Sequence, residues 1–170
     1  LFAIILLLTV VITSVIVASA EDVYCYMATS GSTGNVLDGM KYTSETYATA
    51  EDALNAAFED FASVIGGRGD RRIYLAKDIT LTTPLAPKPS VKKASYLELN
   101  GHTITYAPTS EHVNTSAITI DNNYISKFIV YSSKSVNADS PYTFVNGGNA
   151  NFFSTGLTED AFAFSGSFKS

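Results

Sequence analysis

Leu97-Glu98-Leu99-Asn100-Gly101-His102-Thr103-Ile104 is the most informative run in the chain. Two leucines flank a carboxylate in strict alternation, an Asn-Gly pair interrupts, and apolar alternation resumes at Ile104. Period-two alternation marks a half-buried strand, and Asn and Gly tolerate the positive φ of a tight corner. The unit reads as strand, corner, strand. Three other segments share its shape: Ile73-Tyr74-Leu75 running to Asp78, Ile118-Thr119-Ile120-Asp121-Asn122-Asn123, and Phe144-Val145-Asn146-Gly147-Gly148. Their turn residues Asp78, Asn100, Asp121 and Asn146 are spaced by 22, 21 and 25 residues. Self-similarity at a period of twenty-odd residues predicts a stacked repeat with these four residues as its turn ladder.

Three short strands and three corners take about 20–25 residues at roughly 3.3 Å per strand residue, so one repeat fits one turn of a coil. Each strand then pairs in parallel with its equivalent one turn along. Inward positions form apolar columns, for which Leu75, Leu97 or Leu99, Ile118 or Ile120, and Phe144 are the candidates. Second-arm strands are expected at Ile79-Thr80-Leu81, Thr103-Ile104-Thr105 and Tyr124-Ile125. Loops from Pro84 to Pro89 and from Pro108 to Asn114 would project from other corners.

Upstream the pattern changes to helical. Thr49 can cap a helix whose first turn holds Glu51 and Asp52, and Leu54, Ala57, Phe58, Phe61 and Ile65 form one apolar stripe. Gly66-Gly67 ends it, which predicts a helix over residues 50–65 within a capping segment 49–67. Residues 21–48 read as an irregular lead-in in which Val23, Tyr24 and Tyr26 can form a strand, and residues 68–170 as the first rungs of the coil.

The run from Tyr47 to Thr105 resembles the N-terminal cap and first rungs of pectin-lyase-like proteins of the bacterial surface. The matching residues are Thr49 to Ala57, then Ile73 to Leu81, and above all Leu97-Glu98-Leu99-Asn100-Gly101-His102-Thr103-Ile104. The resemblance implies an all-β fold, a right-handed parallel β-helix (a solenoid) with one N-terminal amphipathic capping helix. It implies nothing specific about activity, since such proteins serve as lyases, hydrolases, adhesins and surface spacers.

Residues 1–17, LFAIILLLTVVITSVIV, are apolar and meet Ala18-Ser19-Ala20 followed by Glu21-Asp22. Small residues three and one before a cut fit a signal peptidase, so residues 1–20 read as a secretory signal cleaved between Ala20 and Glu21. A transmembrane anchor is the competing reading, but the run is short and no basic stop-transfer flank follows. The expected location is secreted or cell-surface, with no stable membrane span in the mature chain. The lone cysteine, Cys25, has no internal disulfide partner and reads as a partly buried bystander. The first residue is Leu1, not Met, so residues are expected to precede it. Ala161-Phe162-Ala163-Phe164-Ser165-Gly166 reads as one more strand and turn with no second capping helix after it, so the coil is expected to continue beyond Ser170.

The 170 residues carry 11 Lys and Arg against 16 Asp and Glu, a net charge of −5. That balance, without a basic run, argues against nucleic acid as a partner. Arg68, Arg71 and Arg72 flank a Gly-rich turn and read as a solvated loop, with a phosphate or glycan contact as the alternative. Carbohydrate-cleaving β-helices need paired acids, or an Arg or Lys base with calcium-holding carboxylates. The sequence has no Asp-Asp pair and no Arg after Arg72. His102 and His112 read as turn and loop residues, and turn chemistry explains Asp121-Asn122-Asn123 and Asn146 to Asn149 without calcium. No catalytic residue, metal or cofactor is assigned. Phe128, Phe144, Phe152, Phe153, Phe162 and Phe164 suit core columns, while Tyr106, Tyr131 and Tyr142 are candidates for a sugar-stacking strip. Asn114-Thr115-Ser116 matches a glycosylation sequon. The expectation is a non-enzymatic secreted or surface-attached module for adhesion, contact with an extracellular glycan or host surface, or domain presentation. The alternative is the N-terminal part of a polysaccharide lyase or glycoside hydrolase whose active site lies beyond Ser170.

Overall fold

The computed structural model describes residues 21–29, 40–63, 71–87, 94–121, 127–136, 138–139 and 141–170. The signal segment with its Ala20 side of the cleavage site, the Gly-rich turn at Arg68 and the expected strand Tyr124-Ile125 lie outside them.

Twelve strands and one helix follow in the order β1 (Val23–Thr29), β2 (Met40–Thr43), α1 (Ala50–Ser63), β3 (Arg71–Leu75), β4 (Ile79–Leu81), β5 (Ala94–Glu98), β6 (Ile104–Tyr106), β7 (Ile118–Ile120), β8 (Lys127–Tyr131), β9 (Phe144–Asn146), β10 (Phe153–Thr155), β11 (Phe162–Phe164) and β12 (Phe168–Lys169). They form three sheets. The first is β11-β8-β5-β3-β1-β2, the second β12-β9-β6-β4, and the third pairs β10 with β7. Every pair is parallel except those of β1, which is antiparallel to both β2 and β3. An isolated parallel bridge from Leu85 to Ile118 adds one more position to the third sheet.

Register gives the stacking its columns. Ile73, Leu97, Val130 and Phe164 are successive partners in the first sheet. Ile79, Ile104, Phe144 and Phe168 are partners in the second, and Leu85, Ile118 and Phe153 in the third. All but Phe153, Phe164 and Phe168 are fully buried. From β3 onward the chain visits the first, second and third sheets in turn, which is what parallel pairing of short strands demands of the connections. The expected turn residues therefore do not form one column. Asp78 follows β3 and Asn100 follows β5, at equivalent corners. Asp121 follows β7 of the third sheet, and Asn146 closes β9 of the second. Strands of all three sheets are short, alternating and closed by a turn residue, so similarity between segments says that strands recur without saying to which sheet each belongs.

The helix forms for the reasons its sequence suggests. The Thr49 hydroxyl accepts from the Asp52 amide at 3.0 Å, the Ala53 amide donates to the Thr49 carbonyl at 3.1 Å, and Glu51 and Asp52 occupy the first turn. Ala53, Leu54, Ala57 and Phe58 are buried. The helix packs on β1, β2, β3 and β4, which places it over the start of the stack. The Tyr42 hydroxyl donates to Asp60 Oδ2 at 2.8 Å and ties it to β2. The segment expected as an irregular lead-in thus supplies an antiparallel hairpin along the free edge of β3. Cys25 lies inside that hairpin, fully buried, with Sγ 4.0 Å from the Ala53 carbonyl, and burial pushes its thiol up to about 12. A thiol so placed is a core residue and a poor nucleophile.

Candidate functional site

The outward face of the first sheet holds the densest polar and aromatic cluster outside the core. Alternation in β3 turns Ile73 and Leu75 inward and Arg72 and Tyr74 outward. Parallel register sets Tyr96 beside Arg72, Glu98 beside Tyr74, and Tyr131 beside Glu98. The Arg72 guanidinium lies 5.1 Å from the Tyr96 ring centre, 5.6 Å from that of Tyr131 and 6.0 Å from that of Tyr74. The Tyr96 and Tyr131 rings meet edge to face at 6.4 Å and 89°. Each such cation–ring contact contributes about 0.5–2 kcal/mol, more as the cation loses water. Arg72 Nε is buried without a hydrogen-bond partner, so the rings are the main environment of that side of the group.

Glu98 sits at the edge of the cluster, 0% exposed. Its Oε1 accepts from the Asn100 amide at 2.9 Å and the Ser133 amide at 2.7 Å, joining two neighbouring corners. The Tyr131 phenol is pushed up to about 12, first by burial, then by the charge of Glu98, with Arg72 opposing both. Tyr131 is therefore a neutral hydrogen-bonding group at any physiological pH. Together these residues offer three tyrosine rings with their phenols and one cation on a pleated surface, chemistry suited to stacking and hydrogen bonding with a polyhydroxylated ligand.

Several expected residues land elsewhere. Arg71 is no solvated loop residue: at 3% exposure it points into the interior of β3, and burial lowers its pKa. Tyr106 is not exposed either. At 1% exposure it is part of the core, its hydroxyl donating to the His112 carbonyl at 3.0 Å. Tyr142 is half-buried on a separate surface, 5.8 Å from the Lys169 ammonium. Only Tyr131 of the three proposed tyrosines joins the cluster. Arg72, expected in a solvated loop, is instead half-buried in β3. Tyr74, Tyr96 and Glu98 were not singled out as site residues, although the alternation that turns Ile73 and Leu97 inward places Arg72, Tyr74 and Tyr96 on the opposite face.

The turn residues hold corners. Asn100 and Gly101 both adopt positive φ, 54° and 86°, and a Cβ on Gly101 would stand 3.0 Å from the Ser135 carbonyl oxygen. Asn100 Nδ2 donates to the Leu75 carbonyl at 3.0 Å, one rung back. Asp78 Oδ1 accepts from the Thr103 amide at 2.9 Å and lies 3.3 Å from His102 Nδ1. Asn146 makes a local turn, Oδ1 accepting from the Gly148 amide at 3.1 Å and Nδ2 donating to the Ala150 carbonyl at 2.8 Å. Asp121 is exposed at the end of β7.

A different ladder runs from rung to rung, through Asp78, Thr103, Thr143 and Ser167, each the residue just before a second-sheet strand. Thr103 Oγ1 donates to the Tyr142 carbonyl at 2.7 Å, and Thr143 Oγ1 to the Ser167 carbonyl at 3.1 Å. The Ser167 amide donates back to Thr143 Oγ1 at 2.8 Å. The sequence signal is a small polar residue directly before an apolar strand start: Asp78-Ile79, Thr103-Ile104, Thr143-Phe144 and Ser167-Phe168.

Among the described residues no group of three His, Cys, Asp or Glu side chains could hold a metal ion, and no helix is long and apolar enough to cross a membrane. Among the described residues the structure thus defines a strand-rich chain with parallel sheets, one helix, and a single arginine set among three tyrosine rings on the outer face of the first sheet. No family model, curated protein or solved structure matches it.

Proposed function

We propose that the three sheets are the faces of a right-handed parallel β-helix, closed at its first turn by α1 and the β1–β2 hairpin. The strict rotation of strands among three parallel sheets supports it, as do the shared apolar columns. On this reading the chain is a non-enzymatic, exported or surface-attached module that contacts glycan through the outer face of its first sheet. The observation that carries the functional part is the Arg72 guanidinium placed against the rings of Tyr74, Tyr96 and Tyr131.

The experiment is a glycan-array screen of the purified chain followed by titration of any ligand found against Tyr96→Ala and Arg72→Gln. Loss of about tenfold or more in affinity in either variant, with the fold intact by circular dichroism, is expected, as for removal of one stacking or charged contact. Unchanged affinity in both variants would place binding elsewhere. Cleavage of the bound glycan at enzymatic rates would overturn the non-enzymatic reading.

A further inference from the structure

Glu51 makes four contacts that helix capping does not require. Its Oε1 accepts from the Thr82 amide at 3.0 Å, the Thr83 amide at 2.8 Å and the Thr83 hydroxyl at 2.7 Å, and its Oε2 accepts from the Thr82 hydroxyl at 2.7 Å. Thr82 and Thr83 form the corner that leaves β4. That corner is itself stitched to the next rung, since the Ala107 amide donates to the Leu81 carbonyl at 2.8 Å and the Thr109 amide to the Thr82 carbonyl at 3.2 Å. One carboxylate in the first turn of α1 therefore collects all four donors of a corner that belongs to the strand stack. Four hydrogen bonds to one ionised group are charge-assisted, and they lose their strength when the group is neutral.

We propose that Glu51 is an acid-labile latch: ionised, it clamps the capping helix α1 onto the Thr82-Thr83 corner, and protonation releases the start of the helix from the stack. Burial alone would raise its pKa, but the Thr82 and Thr83 hydrogen bonds outweigh burial and hold the carboxyl below its usual value. Because the folded pKa is depressed, the latch contributes fully above the usual carboxyl value of 4.5 and is lost as pH falls through the lower folded value. The surrounding groups leave this response to Glu51. Tyr106 of β6 is coupled to it, with its phenol raised and neutral in acid, and β4 carries no titratable side chain. On the helix Asp52 is engaged by Thr49, and Asp60 is bound by Tyr42 at the opposite end. Lys41 pairs with Glu21, and Cys25 stays protonated beneath Ala53.

Hydrogen–deuterium exchange of the whole chain, corrected for intrinsic rates and followed in steps from pH 7 down to about pH 2.5, reads the latch directly. Acid is expected to speed exchange over residues 50–58 and 82–85 by roughly tenfold or more relative to the strands β5, β6 and β8, the scale of losing one charge-assisted contact. Glu51→Gln is expected to show that faster exchange already at pH 7 with little further response to acid. Asp60→Asn, which removes the carboxylate charge that accepts from Tyr42 at the far end of the helix, is expected to keep the wild-type acid response at Thr82 and Thr83. Equal acceleration of cap and strands in the wild-type chain would mean general acid unfolding and overturn the proposal. So would a Glu51→Gln chain whose cap exchanges like wild type at pH 7. If Glu51→Gln does not fold, the wild-type comparison of cap and strands still decides.

Discussion

At the β1–β2 end of the stack, Leu54, Ala57 and Phe58 of α1 are sealed, and the hairpin occupies the edge of β3. At the β10–β12 end, Phe164 and Phe168 keep 44% and 40% of their surface exposed. Phe152, Phe153, Phe162, Phe164 and Phe168 there line a cavity of about 390 Å³. The same kind of column, apolar side chains in parallel register, is covered by α1 and the hairpin at one end, while among the described residues Phe164 and Phe168 at the other end keep part of their surface exposed. The interior of such a stack does not seal itself: burial at an end comes from a dedicated element laid across it, and here α1 and an antiparallel hairpin are that element.

The contrast can be broken or sharpened by substitution, read as stability in urea unfolding. Phe58→Ala removes a sealed ring that meets Phe128 at 6.3 Å and is expected to cost about 3–5 kcal/mol. Thr103→Val keeps the shape but strips the donor to the Tyr142 carbonyl, with an expected loss of about 1–3 kcal/mol. A smaller effect from Thr103→Val than from an exposed threonine such as Thr80→Val would sink the observed ladder as a structural device. Gly101→Ala forces a Cβ into a positive-φ corner against Ser135 and is expected to cost about 1–2 kcal/mol. Phe168→Ala at the β10–β12 end, 40% exposed and stacked on Phe144, is expected to cost about 1–2 kcal/mol, less than Phe58→Ala. If Phe168→Ala matched Phe58→Ala, the two ends would not differ in the way the exposures indicate.

Much of the fold is legible in the chain, for reasons that differ by element. Capping by Thr49, two acids in the first turn and the Leu54-Ala57-Phe58 stripe place the helix at Ala50–Ser63, close to the expected 50–65. Alternation places β3, β4, β5, β6, β7, β9 and β11 because each is a short apolar run beside a turn residue. β1 was legible as the strand expected at Val23, Tyr24 and Tyr26, but its antiparallel pairing with β2 was not, since an antiparallel edge pair breaks the repeat. Lys127–Tyr131 went unread because Lys127-Phe128-Ile129-Val130-Tyr131 has no Asn-Gly corner after it. The candidate site was less legible than the fold. Arg72, Tyr96 and Tyr131 become neighbours only through the registers of β3 with β5 and β5 with β8, and unequal connections hide those registers from any fixed period. Tyr106 misled for the complementary reason: in β6 it points inward, in the same phase as the buried Ile104.

Parallel register between successive strands of the second sheet is the central claim, and engineered disulfides test it most directly. Thr80 and Thr105 face outward on β4 and β6 as register partners, and Thr119 lies on β7 in the third sheet. Paired strands lie about 5 Å apart, within the Cα separation a disulfide spans. Cys25 is buried and inert and does not compete. Under mild oxidation the double variant Thr80→Cys/Thr105→Cys is expected to close an intramolecular disulfide, while Thr80→Cys/Thr119→Cys stays reduced. Closure of the Thr119 pair with no closure of the Thr105 pair would contradict the stacking of β4 on β6.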